Sequence, residues 1–117
     1  MEWALLVATV GAAVVTLVGW LGLVGKLPRN GWAGIRTPYT MSSNERWNAT
    51  HRAGGAVMLL GSIAALAAGL AFLPFALAGK LADALTASIV IAVAVLLFLS
   101  AIAGWLYGTA RAKAQGP

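Results

Sequence analysis

Residues 26–52 read KLPRNGWAGIRTPYTMSSNERWNATHR and lie between two long apolar runs. The stretch holds five of the eight basic residues, the single histidine and two of the five tryptophans. Outside it, charge nearly vanishes. No Asp, Glu, Lys or Arg occurs from Trp3 to Gly25, from Ala53 to Gly79, or from Ala84 to Ala110. Each run reaches the roughly 20 residues that a helix needs to cross about 30 Å of hydrocarbon. Helices are required because a backbone in lipid must satisfy its own hydrogen bonds. The sequence therefore predicts an all-α fold, an integral membrane bundle of three transmembrane helices with spans near 3–25, 53–78 and 84–109. A single membrane domain over 1–117 is expected, with a structured cytoplasmic loop, 26–52, between the first and second helices.

Composition agrees. The chain is 61% hydrophobic and 9% charged, against about 25% charged for an ordinary soluble domain. The net charge of +5 flanks apolar runs and forms no stripe on a soluble face. Anionic phospholipid headgroups are thus the expected partner, and nucleic acid is not. Cysteine is absent, which excludes disulfides and thiolate chemistry. One histidine and the carboxylates Glu2, Glu45 and Asp83 are too few for a metal site, and no cofactor is expected. The opening MEWALLVATV has no basic n-region, and its apolar run exceeds the 7–15 residues, roughly, of a signal-peptide core. It reads as a retained membrane helix.

Lys26, Arg29, Arg36, Arg46 and Arg52 in the loop and Arg111 and Lys113 in the tail fall on one side of a three-span chain. Glu2, Lys80 and Asp83 fall on the other, so basic residues divide seven to one. The positive-inside rule then places the N-terminus outside and the loop and C-terminus in the cytoplasm of a bacterial inner membrane. Pro74 is expected to end or kink the second span.

Small residues recur at helical spacing: Gly19, Gly22 and Gly25, then Gly61, Ala65 and Gly69, then Ser100, Gly104 and Gly108. Such ridges let helix backbones approach closely, within the chain or against a second copy. No span holds an ionisable side chain, which argues against a proton or ion path. Hydroxyls such as those of Thr16, Ser62, Ser88 and Ser100 are expected to bond back to their own helix.

The loop divides at Thr37-Pro38. Before it, Pro28, the turn pair Asn30-Gly31 and Gly34 break any regular helix. After it, Ser42 and Glu45 have capping-box spacing, so a helix is expected to begin there and enter the second span. On that helix Trp47 and His51 share one face, and Glu45, Asn48 and Arg52 a neighbouring one. Arg29 and Arg36 have the donor fork for a phosphate or carboxylate. Trp32 and Trp47 have the character of interface anchors. Glu45 and His51 face different ways and no nucleophile accompanies them, so no catalytic residue is assigned and no enzyme is expected.

Pro28, Arg29 and Asn30, then Gly34, Ile35, Arg36 and Thr37, then Thr40, then Trp47, His51 and Gly54 together resemble the motif of the SdpI family of small bacterial membrane proteins. The resemblance implies a non-catalytic membrane protein of a class that gives immunity to a secreted killing peptide. It also implies signalling, by holding a transcriptional repressor at the membrane. A membrane-complex partner, a cytosolic regulator and a second copy are the candidate partners. A small accessory subunit and a lipid-binding or lipid-transport protein are the alternatives. The motif residues, with Arg52, form either a ligand or partner site or a lock that holds the three helices together.

Overall fold

A computed structural model describes residues 1–116 of the chain. It contains four helices in order: α1 (Glu2–Leu23), α2 (Pro38–Met41), α3 (Asn44–Leu77) and α4 (Asp83–Ala114), with no strand among the described residues. α1, α3 and α4 are each long and apolar enough to cross a membrane. α3 has 34 residues, about 51 Å at the helical rise, and it sets the 52 Å long axis of the molecule. Since the hydrocarbon layer is about 30 Å thick, α3 has length to spare. Its polar residues gather in its first turns, residues 44–52.

α3 is the central helix, packed extensively against both α1 and α4, which touch each other less. The close approach is made by glycine. A methyl group on Gly55 would lie 2.6 Å from the Gly19 carbonyl oxygen, and one on Gly22 would lie 3.0 Å from His51 Cβ. Toward α4, Gly54 meets the backbone of Gly104, and Gly108 meets Thr50 and Gly54. Farther along α3, Gly61 abuts Ser100 and Gly69 abuts Thr9. Ala65 is fully buried in a cluster with Ala12 and Val93. The ridges read from the sequence are therefore used between this chain's own helices. Large apolar side chains such as Leu17, Leu60, Ile91 and Phe98 point outward. Small residues inside and large ones outside is the arrangement that suits helices packing in lipid.

Gly25 departs from expectation, and of the two roles expected of Pro74, ending the span is not the one it plays. Gly25 belongs to no ridge. It has φ +74°, and around it Gly25 N–H donates to Gly22 O while Lys26 N–H donates to Leu21 O. This is the left-handed stop that satisfies carbonyls at a helix end. The second apolar run ends in the same way: Gly79 has φ +71° and Lys80 N–H donates to Phe75 O. α3 therefore continues through Pro74 to Leu77 and is ended by Gly79. The hydroxyls behave as expected: those of Thr9, Thr16, Thr86, Ser88 and Ser100 each donate to the carbonyl four residues back.

Candidate functional site

Residues 24–43 fold over one end of the bundle, and α3 reads their backbone. Trp47 is 1% exposed, and its Nε1–H donates to the Leu27 carbonyl at 2.8 Å. One turn later, His51 is 2% exposed. Its Nε2 accepts the backbone N–H of Ile35 at 2.7 Å, so Nδ1 carries the proton and donates it to the Trp47 carbonyl, also at 2.7 Å. The two rings lie with centroids 4.1 Å apart. The i, i+4 face read from the sequence is real, but Trp47 is a buried clamp and not an interface anchor. Trp32 is the exposed one, at 92%.

The loop's own polar side chains turn inward on its backbone. Asn30 Oδ1 accepts the N–H groups of Trp32 and Ala33, and its amide donates to Pro28 O. This closes the turn at Asn30-Gly31. Gly34 has φ +108°, and a Cβ there would lie 2.6 Å from His51 Nε2 and 3.2 Å from the Trp47 ring. Only glycine lets the chain pass over those two rings. The next residue, Ile35, is buried and lies where a side chain on Gly54 would meet its Cδ1.

α2 was not foreseen. Thr37 caps it, with Pro38 at the first helical position where the missing N–H costs nothing. Thr40 Oγ1 accepts the Thr37 N–H while Thr37 Oγ1 accepts the Thr40 N–H, which is a capping box. The buried Thr40 hydroxyl also donates to Ile35 O at 2.7 Å. The sequence signal was present in a threonine followed by proline and a second threonine. The box expected at Ser42 and Glu45 does not form. α3 is capped one residue later by Ser43, whose Oγ accepts the Arg46 N–H. Ser42 instead donates to Tyr39 O and accepts from Arg46 Nη1.

The arginines stay outside. Arg29 donates to Met41 O at 3.0 Å, tying the loop to the end of α2. Arg36 donates to Gly31 O, and its side chain is exposed. Arg52 is exposed beside Gly25. Glu45 makes no ion pair among the described residues; the one salt bridge there joins the terminal amine to Glu2. Tyr39 lies between two cations, with Arg46 Cζ 4.9 Å and Lys113 Nζ 5.2 Å from its ring centre. The tail of α4 thus touches α2, a contact with no signature in the sequence.

The chemistry of this arrangement is that of holding. Both nitrogens of His51 are engaged with backbone, and no group of three or more metal-ligating side chains gathers among the described residues. Pro28, Asn30, Gly34, Thr37, Thr40, Trp47 and His51 shape and pin the loop, while Arg29 and Arg36 present their charge outward. No curated protein and no solved structure matches the chain significantly. Comparison with known families matches residues 26–108 to the SdpI/YfhL protein family. That stretch runs from the loop into α4 and includes every motif residue described above, and the chain is a membrane protein belonging to the SdpI/YfhL family.

Proposed function

We propose that this protein works by binding, without catalysis, and that it recognises a peptide or protein segment at the membrane surface with its pinned loop. The observation that carries the reading is the division of labour in the motif. Its buried members are spent on internal hydrogen bonds, while Arg29 and Arg36, each with one bond to a backbone carbonyl, stay exposed on the same pinned loop as Trp32. A preorganised surface loses little freedom on association, and exposed tryptophan and arginine are the side chains that most often anchor interfaces. In the orientation given by the basic residues, this surface faces the cytoplasm of a bacterial inner membrane. It is there suited to a cytosolic regulator, in keeping with a signalling role in the SdpI family. Immunity would require a second contact on the outer side, where the N-terminus and the short turn near Lys80 and Asp83 are available.

The test is affinity purification from native membranes in mild detergent, with wild type and Trp32→Ala side by side and bound proteins identified by mass spectrometry. A stoichiometric protein present with wild type and lost from the variant is expected. An identical protein complement in both preparations would overturn the reading.

A further inference from the structure

Between α1 and α4, beneath the loop, a cleft of about 420 Å³ opens sideways. Its origin is geometric. At the level of Gly54 and Gly55, α1 and α4 are both drawn onto α3, on faces about 100° apart, by Gly19 and Gly104. They do not close on each other there, so a trough remains over α3. Ile35, seated against Gly54, and the rest of segment 32–37 cover the loop end of that trough. Below it, Val14 and Val18 of α1 form one wall, Ala101 and Trp105 of α4 the other, and Met58 of α3 the back.

We infer that this cleft is a phospholipid site, with one acyl chain in the trough and the lipid phosphate on Arg36. Three observations select that occupant. The walls belong to membrane-crossing helices and are apolar, so an acyl chain can enter sideways without loss. A peptide backbone would carry N–H and C=O groups into apolar helix walls that provide no side-chain partners for them. At the loop end, Arg36 uses one of its five donors on Gly31 O and has no carboxylate partner among the described residues. Its fork therefore lacks a counter-charge from the protein and matches a phosphate in a two-bond geometry. Trp32 and Trp105 flank it, both with exposed rings, as expected of side chains at headgroup depth. The cleft volume lies within the range of about 300–1,000 Å³ usual for small-ligand sites. Arg36 and Trp32 are shared with the protein surface proposed above, but the argument for the lipid uses no protein partner, and its trough variants leave both residues in place.

The experiment is native mass spectrometry of the purified protein, exchanged from detergent into mixed micelles of phosphatidylglycerol and phosphatidylethanolamine with defined acyl chains. Wild type should retain one phospholipid per chain. Ala101→Phe, which fills the trough and leaves Arg36 in place, should lose it. Arg36→Gln should bind about tenfold more weakly through loss of charge-assisted bonds. Val14→Phe fills the trough from the opposite wall and replaces Ala101→Phe should that variant fail to fold. Competition by inorganic phosphate with no dependence on either trough variant would mean a free-anion site, and lipid retained equally by all the variants would mean an unspecific annulus. Either result overturns the inference.

Discussion

His51 Nε2 accepts the backbone N–H of Ile35, sixteen residues earlier in the chain, at 2.7 Å. A side chain on a membrane helix thus completes the hydrogen bonding of a loop that has little regular structure of its own. Replacing His51 by alanine leaves the Ile35 N–H buried without a partner, a cost of about 1–3 kcal/mol. His51→Gln, which can still offer an oxygen, should recover part of it. Hydrogen exchange in detergent is the direct measure. The Ile35 amide should exchange faster in His51→Ala, while amides at the middle of α3 hold their wild-type rates. Unchanged exchange at Ile35 would show that the bond contributes nothing.

Gly34→Ala should be among the most damaging small changes in the chain. It combines a positive φ with a methyl group placed against His51 Nε2, and strained backbone of this kind costs about 1–3 kcal/mol before any clash is counted. Gly31→Ala is the control, because nothing lies within 4 Å of a Cβ there and the effect should stay within about 0.5 kcal/mol. Thermal unfolding of the two variants in the same detergent compares them. Equal melting temperatures would refute the account given for Gly34.

Trp47 separates packing from hydrogen bonding. Trp47→Phe keeps a ring against His51 but loses the donor to Leu27 O, for about 1–3 kcal/mol with the carbonyl left buried. Trp47→Ala removes the ring as well and should cost about 3–5 kcal/mol. Limited proteolysis within 26–36 follows the loop directly, and cleavage should rise from wild type to Phe to Ala. A Phe variant as labile as Ala would place the whole contribution in the hydrogen bond.

The glycine contacts between helices make a parallel prediction. Gly55→Ala pushes a methyl group into the Gly19 carbonyl and toward Leu23 N, so α1 must move away from α3 and the melting temperature should fall. Gly11→Ala faces open space and should be neutral or stabilising by up to about 1 kcal/mol. A Gly55→Ala protein as stable as wild type would mean that the helices are not held at this separation.

Much of this architecture is visible in the residues themselves. The three charge-free runs mark three helices, and the Trp47–His51 spacing places both rings on one face. What those rings bind is not visible. Their partners are the Leu27 carbonyl and the Ile35 N–H; every residue carries such a carbonyl and every residue but proline such an N–H, so no side-chain pattern points to them. Gly25 illustrates a second kind of ambiguity. Its spacing from Gly19 and Gly22 fits a packing ridge, but a glycine that ends a helix has the same letter, and only the conformation at Val24–Lys26 decides. The start of α3 shifts by one position because Ser42 and Ser43 are adjacent and chemically identical. The neighbouring bonds to Tyr39 and Arg46 determine which of them is the cap.

Among the described residues, the hydrogen bonds of Arg29, Thr40, Trp47 and His51 that pin the loop join groups between Leu27 and His51. α4 contributes to none of them. A chain made from its N-terminus onward produces the Leu27 carbonyl and the Ile35 N–H first, then the tryptophan and histidine that meet them, and only afterwards the last helix. The loop and the first two long helices can therefore settle as a hairpin during synthesis. α4, made last, would then dock onto the face of α3 that carries Gly54 and Met58.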